Sequence, residues 1–311
     1  MAAKAERTIR STEGDRGSSA AVLVCKATRR TPALLVALLI ATALTFCAEA
    51  PSPGDHRDDL GRTVQISAKP SRIITLAPNV TEMVFAIGEG SALVGADDAS
   101  NHPPAAGVLP KVGAMQPNIE KIVELQPDLV LASTEGNHPN LAGALAAAGV
   151  PLYVVRTDRL DEIAAAMRRL GRVLEAPGAE PAARKLERDI AEERRTRSRP
   201  PRVMFVVWTD PLYVAGRETF TDDLLELTGA ANAVEVKGWP QYSLESVVKL
   251  PPDLVLYPRG AMTEGQMAAF LGRLPLPHPE VVAVDEDVFQ RPGPRVDEAA
   301  RRLNAILDAR R

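Results

Sequence analysis

A helix, a turn and a strand are encoded twice in this chain of 311 residues. Residues 118–131 and 243–256 are identical at eight of fourteen positions. Each copy opens with a helix-capping residue, Asn118 or Ser243, followed by apolar residues at helical spacing. A proline then ends the helix, and Asp-Leu-Val-Leu follows, which is typical of a buried parallel strand. Two distant copies predict two similar α/β lobes, and proteins built this way usually bind ligands between the lobes.

The first 47 residues have the pattern of an export signal. A basic flank precedes an uncharged run, residues 31–46, which is shorter than the roughly 20 residues of a permanent membrane helix. Cys47 follows the run and resembles the lipidated residue of a lipoprotein, although Phe46 is larger than the usual preceding residue. The alternative is ordinary cleavage near residues 48–50. Both alternatives predict an exported protein that meets the membrane only through a lipid anchor, if at all.

The chain that remains after residues 1–47 is acidic. Removal of residues 1–47 takes away seven of the 37 basic residues and three of the 40 acidic ones. It leaves 30 basic and 37 acidic residues, a net charge of about −7. Nucleic acid is therefore disfavoured as a partner. Cys25 and Cys47 both lie in the leading segment, so the folded part is predicted to have no internal disulfide.

Strands and helices alternate over most of the chain, which predicts parallel sheets covered on both faces. The alternation stops in the middle, where two helices are predicted over residues 160–176 and 181–197. The second is interpreted as a single strut between the lobes, roughly 25 Å long. The predicted organisation is a flexible tether at 48–61, an N-terminal lobe at 62–158, a helical linker at 159–199 and a C-terminal lobe at 200–311.

Motifs of the common enzyme classes are missing from the sequence. Residues 88–93 lack the third glycine of a dinucleotide fingerprint, and there is no Gly-x-x-x-x-Gly-Lys phosphate loop. The four histidines are scattered, without metal-ligand spacing. His138 stays a candidate because it follows a predicted strand, near the carboxyl end of a sheet. The sequence therefore predicts a binding protein without a cofactor or metal; an α/β enzyme that lacks standard motifs is the alternative.

Aromatic residues are scarce, and several stand in predicted loops of the C-terminal lobe. Trp208 and Tyr213 follow a predicted strand, Trp239 and Tyr242 precede the second repeat, and Phe289 lies near the end of the chain. Core packing explains a strand aromatic better than it explains Trp239, which stands between Gly and Pro. Loop aromatics on a rigid α/β scaffold suit a flat or apolar ligand.

Several motifs together resemble the periplasmic binding proteins of ABC importers for cobalamin, siderophores and haem. They are residues 72–78 with Thr81 and Glu82, residues 118–123, residues 127–130 and residues 238–245. The resemblance covers nearly all of the chain from residue 62 onward. It implies two Rossmann-like lobes with parallel sheets joined by a single long backbone helix. It also implies a monomer without catalytic activity, which delivers a ligand to a permease dimer and its ATPase.

The motif around Trp239 is most similar to the cobalamin-binding members, so the implied ligand is a corrinoid, with a ferric siderophore or haem as the alternative. Ala114 and Ser133 stand where such members tend to have aromatic residues. Acidic ligands would need arginines, and four are available: Arg156, Arg217, Arg259 and Arg291. The expected ligand-binding residues are Trp208, Tyr213, Trp239, Tyr242, Phe289, Pro78, Asn79, Ser133 and His138.

The family resemblance also implies a role for one glutamate in each repeat. Glu120 and Glu245 occupy the same position in the two copies, and are expected to meet arginines of the two permease subunits. The alternative is that an acid in the first helical turn only stabilises the helix dipole. The same acid in both lobes suits a pseudo-symmetric partner, so docking is favoured.

Overall fold

The computed structural model describes residues 54–66, 69–134, 141–275 and 279–310. The predicted export signal, Cys47 and the ligand candidate His138 lie outside the described residues. No described helix has the length and apolar character needed to cross a membrane.

The N-terminal lobe begins with a hairpin and continues with alternating strands and helices. Its elements are β1 (Gly54–Arg57), β2 (Thr63–Ile66), β3 (Ile73–Thr75), α1 (Pro78–Ala86), a 3-10 turn (Gly90–Ala92), β4 (Leu93–Ala96), α2 (Pro104–Gly107), α3 (Ile119–Glu124), β5 (Leu129–Ser133), α4 (Leu141–Ala147) and β6 (Leu152–Val155).

The linker and the C-terminal lobe follow. Their elements are α5 (Leu160–Val173), α6 (Ala179–Glu192), β7 (Arg202–Thr209), β8 (Leu212–Val214), α7 (Phe220–Leu227), β9 (Ala231–Asn232), α8 (Leu244–Lys249), β10 (Leu254–Pro258), α9 (Glu264–Leu271), β11 (Glu280–Val284), α10 (Glu286–Phe289) and α11 (Val296–Asp308).

The two sheets share one strand order. In the N-terminal lobe it is β4-β3-β5-β6, all parallel. In the C-terminal lobe β9, β7, β10 and β11 repeat that order in parallel, and β8 adds an antiparallel strand beside β7. The predicted α/β class with two parallel-sheet lobes is confirmed.

The aspartate of each repeat explains how the strands are aligned. The Asp128 carboxylate accepts a hydrogen bond from the Ser71 backbone nitrogen at 2.7 Å, just before β3. The Asp253 carboxylate accepts one from the Arg202 backbone nitrogen at 2.7 Å, at the start of β7. Each aspartate therefore anchors the first residues of the neighbouring central strand, and Leu254 is in register with Val203.

The two linker helices pack against each other and touch both lobes. At the start of α5, the Arg159 guanidinium donates to the Asp223 carboxylate in α7. Gly178, just before α6, lies so close to the Ile87 carbonyl that a Cβ would be 2.4 Å from it. At the other end of α6, the Asn304 side chain in α11 donates to the Glu193 carbonyl at 2.8 Å. Thus α6 carries the chain from one lobe to the other, and α5 supports it.

Two sequence predictions about boundaries are corrected. Residues 54–57, predicted as part of a flexible tether, form β1, which pairs antiparallel with β2 in full register. The predicted strut extends to residue 197, but α6 ends at Glu192, so its 14 residues span about 21 Å. The residues that follow turn back to meet α7, because the Arg195 backbone nitrogen donates to the Leu227 carbonyl at 2.9 Å.

A single apolar cluster runs through both lobes. It joins Val80 and Met83 of α1 to Met167 of α5, and continues to Phe220 of α7 and Leu303 of α11. Two smaller clusters cover the outer faces of the two sheets. Because the lobes share a packed core, the space between them is a fixed part of the fold.

Candidate functional site

A cavity of about 260 Å³ opens between the lobes. The N-terminal lobe supplies the segment after β3, the end of β5 and two loops, and the C-terminal lobe supplies the segment after α10. Carboxyl ends of parallel strands are the usual ligand sites of such sheets. The lining residues are Leu76, Ala77, Pro78, Asn79, Asp97, Ala99, Ala114, Met115, Ser133, Gln290, Arg291 and Pro292.

Three of the predicted ligand residues, Pro78, Asn79 and Ser133, line this cavity. The buried Asn79 amide holds the lobes together: Nδ2 donates to Thr157 Oγ1 at 3.0 Å and to the Pro292 carbonyl at 3.3 Å. Ser133 Oγ lies 3.4 Å from the same Thr157 hydroxyl. Because these hydrogen bonds fix their orientation, the polar side chains of Asn79 and Ser133 are preorganised on this side of the cavity.

Asp97 places a buried carboxylate at the wall of the cavity. It accepts hydrogen bonds from the Ser100 hydroxyl and, at 3.1 Å, from the Ala99 backbone nitrogen. Ser100 continues a chain of hydroxyls, since its Oγ lies 2.7 Å from Thr81 Oγ1. Burial raises the pKa of Asp97, although these hydrogen bonds oppose the shift. The hydrogen bonds from Ser100 and Ala99 hold the Asp97 side chain against its own loop.

Glu82, which is buried, forms an ion cluster beside the cavity with the partly buried Arg291 and Arg295. Arg295 donates from Nε and Nη2 to the Glu82 carboxylate at 2.8 and 2.6 Å, and Arg291 Nη1 donates to it at 3.1 Å. Arg291 also donates to the Asp287 carboxylate, the Asn101 side chain and the Ala99 carbonyl. Sequence reasoning missed Glu82 and Arg295 as an inter-lobe pair, since nothing local links residues so far apart.

A loop that enters the cavity is itself repeated in the other lobe. Residues 113–118 read Gly-Ala-Met-Gln-Pro-Asn, and residues 238–243 read Gly-Trp-Pro-Gln-Tyr-Ser. Both open with a glycine at positive φ, 99° for Gly113 and 74° for Gly238, a conformation that favours glycine. Met115 is 77% exposed and lines the cavity, and Trp239 stands in the equivalent loop. Extending the sequence repeat five residues upstream aligns Gly113 with Gly238 and Ala114 with Trp239, and would have drawn attention to this loop, in which Met115 is the next residue.

Trp208 and Tyr213, predicted to follow a strand, instead lie within strands: Trp208 is in β7 and is paired with Tyr213 in β8. Trp239, the third exposed aromatic of the C-terminal lobe, lies in the repeated loop. Trp208 is 43% exposed and Trp239 47%, unusual values for residues of this size. Trp208 Nε1 donates to the Asp210 carbonyl at 2.9 Å. The backbone of Tyr213 forms an isolated antiparallel β-bridge with Gln241, in the loop that carries Trp239. They are not among the lining residues of the 260 Å³ cavity. They offer apolar faces on the C-terminal lobe.

The two other aromatic residues predicted to bind ligand, Phe289 and Tyr242, are packed against apolar cores. Phe289, predicted as a loop residue, is the last residue of α10 and is only 2% exposed, because it fills the shared core. The prediction that it offers a loop face is wrong. Tyr242 is half-buried and packs against the core of the C-terminal lobe, which raises the pKa of its hydroxyl through burial.

The two predicted docking glutamates occupy equivalent positions on capped helices. The Asn118 side chain caps α3 by accepting from the Lys121 backbone nitrogen at 3.0 Å. Ser243 caps α8 by accepting from the Ser246 backbone nitrogen at 3.1 Å. Glu120 and Glu245 are exposed in the first turns of these helices, and Lys249 makes a surface ion pair with Glu245. The structure thus presents the same acid at the same place on both lobes.

Three of the four candidate arginines already have acidic or carbonyl partners. Arg156 donates to the Asp59 carbonyl, and Arg217 pairs with Asp222. Arg291 belongs to the ion cluster beside the cavity. Arg259 is exposed after β10 and is not a lining residue of the 260 Å³ cavity. In the parts of the chain that the structure describes, no group of three or more His, Cys, Asp or Glu side chains is placed to hold a metal ion.

Comparison with known proteins gives consistent matches. The family model described as "Periplasmic binding protein" matches residues 73–276. The vitamin B12-binding protein of Pectobacterium atrosepticum is 33% identical over 252 residues, which cover 77% of this chain and 89% of that protein.

Two solved structures have the same fold. The periplasmic haem-binding protein RhuT from Roseiflexus sp. RS-1, in apo form, aligns with a TM-score of 0.70 and 29% identity, covering 76% of this chain and 97% of that one. The periplasmic vitamin B12 binding protein BtuF of Vibrio cholerae aligns with a TM-score of 0.66 and 29% identity, covering 77% and 97%.

Proposed function

Because this chain belongs to the periplasmic binding protein family, we propose that it captures a cobalamin-type corrinoid between its lobes and delivers it to an ABC importer. The observation that carries the ligand assignment is the repeated loop. It places Met115 in the cavity on one lobe and exposes Trp239 on the other. A soft thioether and a broad indole suit the apolar faces of a flat macrocycle. The 33% identity to a vitamin B12-binding protein supports the same ligand.

The proposed binding mode uses a rigid, partly apolar cleft. Trp208, Tyr213 and Trp239 offer stacking area on the C-terminal lobe, and Asn79 and Ser133 supply polar groups on the opposite lobe. These groups are already held by hydrogen bonds, so little side-chain entropy is lost on binding. The ligand is held without chemical change, as expected for a carrier.

The experiment is a binding titration of the purified protein. Cyanocobalamin is expected to quench tryptophan fluorescence and to co-elute with the protein, with its visible spectrum and mass unchanged. Haemin and a ferric siderophore are titrated in parallel. If cyanocobalamin neither quenches nor co-elutes, the corrinoid assignment fails; if a ligand is recovered chemically altered, the carrier role fails.

A haem ligand is the second candidate. It is favoured by the similarity to the haem-binding RhuT structure, whose TM-score of 0.70 is above that of the vitamin B12 binding protein from Vibrio cholerae. Tighter binding of haemin than of cyanocobalamin would support this candidate.

Delivery is assigned to the exposed glutamates. We propose that the monomer docks with Glu120 on one permease subunit and Glu245 on the other, and that an ATPase drives uptake. The pseudo-symmetric positions in α3 and α8 support a pseudo-symmetric partner. Complementary charges at an interface rim mainly steer and orient the encounter.

Attachment to the membrane depends on Cys47 in this proposal. Lipidation at Cys47 and ordinary cleavage nearby both yield an exported protein. Since acyl chains supply the affinity for the bilayer, Cys47→Ala separates the two. Release of the variant from the membrane fraction supports lipidation, whereas unchanged fractionation and mature mass indicate a soluble periplasmic protein.

A further inference from the structure

We infer that the cleft prefers a macrocycle edged with uncharged amides to one edged with carboxylates, because its arginine is neutralised and its remaining charges are acidic. The inference rests on the proposed function in taking the cleft as the ligand site. It goes beyond that function by predicting which charge the ligand carries. This charge distinguishes corrinoids, which are edged with amides, from haem with its propionates and from acidic siderophores.

Two charged side chains line the described cavity, Asp97 and Arg291. Asp97 is buried, its hydrogen-bond partners are Ser100 and the backbone of Ala99, and the nearest cations that act on it are Lys111 and the already paired Arg291. A carboxylate so placed disfavours a second carboxylate, whereas it can accept a hydrogen bond from an amide N–H.

Arg291 is not available as a free cation for the ligand. Its guanidinium donates to Glu82 at 3.1 Å, to the Asn101 side chain at 2.8 Å, to the Ala99 carbonyl at 3.0 Å and to Asp287. Glu82 is also the partner of Arg295. Two guanidiniums therefore face two carboxylates, and the cluster adds no net positive charge to the cleft.

A second cavity beside the first is also acidic. A neighbouring cavity of about 420 Å³ shares Pro78, Ala99, Gln290 and Arg291 with the first, and is also lined by Asp98, Glu286 and Asp287. Because Asp287 is already paired with Arg291, the excess negative charge of this lining comes from Asp98 and Glu286. A cleft lined by one sign of charge repels ligands of the same sign and slows their entry. The preference for uncharged ligands thus extends from the first cavity to the neighbouring one.

The test uses two ligand pairs that differ only at the edge of the macrocycle. Dicyanocobinamide carries amides where dicyanocobyrinic acid carries carboxylates, and haemin dimethyl ester blocks the two propionates of haemin. We expect the amide or ester form to bind at least about tenfold more tightly in each pair, with a smaller ratio at high salt. Equal binding, or tighter binding of the acids, overturns the inference.

Asp287→Asn tests the neutralisation directly. It removes one of the two carboxylates that hold Arg291, and the amide still offers an acceptor. We expect the preference to fall by about threefold or more, through tighter binding of the acids. Glu264→Gln, an exposed acid in α9 that lines neither cavity, should leave the preference unchanged. An Asp287→Asn protein with unchanged thermal unfolding and an unchanged preference contradicts the assignment.

The results separate the inference from the proposed function. If no corrinoid binds but haemin dimethyl ester binds more tightly than haemin, the charge preference stands and the corrinoid assignment falls. If cyanocobalamin binds but the acids bind as tightly as their neutral counterparts, the function stands and the charge preference falls.

Discussion

Glu82 of the N-terminal lobe receives Arg295 of the C-terminal lobe in a two-point contact, Nε to Oε2 at 2.8 Å and Nη2 to Oε1 at 2.6 Å. The carboxylate is buried, and Arg291 adds a third hydrogen bond to it. Such a pair need not add net stability over apolar packing, but removing one partner leaves a charge buried and unpaired. The contact therefore fixes the relation between the lobes beside the cavity.

The first prediction concerns stability. Glu82→Ala should lower the free energy of unfolding by about 3 to 5 kcal/mol, because Arg291 and Arg295 lose a buried counter-ion. Urea unfolding followed by circular dichroism measures the change. Asp189→Asn, which breaks a surface pair with Lys185, is the control and should cost less than about 1 kcal/mol. Similar losses in the two variants would show that the buried cluster has no special role.

The second prediction is that the cleft barely closes around its ligand. The shared apolar core, the Asn79 bridge and the Glu82 cluster all connect the lobes, so large rotation would break packed contacts. Small-angle scattering should give nearly the same radius of gyration with and without cyanocobalamin. A marked compaction on binding would contradict this rigidity.

The sequence could predict the repeated architecture because its causes are local. Helix caps, a terminating proline and a short apolar strand recur in residues 118–131 and 243–256, and they produce equivalent elements in both lobes. Pro78, Asn79 and Ser133 could be placed near the cleft because they follow or end predicted strands. Position after a strand is thus a usable signal for lining residues.

Long-range packing could not be predicted from the same patterns. Phe289 looked like a loop aromatic, but it ends α10 and belongs to the same apolar cluster as Phe220 of α7 and Leu303 of α11, which lie far from it in the sequence or on another helix. Glu82 and Arg295 are 213 positions apart, so no spacing rule links them. The strand β1 was missed because four polar or small residues form it, and its partner β2 supplies the pairing.

The third prediction follows from the raised pKa of Asp97. The native state holds the Asp97 proton to a higher pH than the unfolded chain, whose carboxyl titrates near 3.8, so this residue's contribution to stability falls as pH rises through that interval. Asp97→Asn removes the titration. The unfolding free energy of the variant, relative to the natural sequence, should therefore improve from acidic to neutral pH. A difference that stays constant or worsens over that range would be inconsistent with the shift.

The fourth prediction tests the aromatic face. Trp239→Ala should weaken cyanocobalamin binding by about 1 to 3 kcal/mol, because the cleft loses stacking and apolar area. Trp239→Phe keeps a ring and should lose less. The side chain is 47% exposed, so thermal unfolding should change little, and isothermal titration measures the affinity. Unchanged affinity of the alanine variant would remove Trp239 from the site.

The fifth prediction separates delivery from binding. Glu120→Ala with Glu245→Ala should impair uptake in a reconstituted importer while cyanocobalamin affinity stays nearly unchanged, since both acids are exposed on α3 and α8 and do not line the cavity. Glu124→Ala with Glu264→Ala removes the same charge from other exposed positions and controls for net charge. If both double variants slow transport equally, charge alone explains the effect. If the Glu120 and Glu245 variant transports normally, or loses ligand binding as severely as Trp239→Ala, these glutamates are not the docking residues.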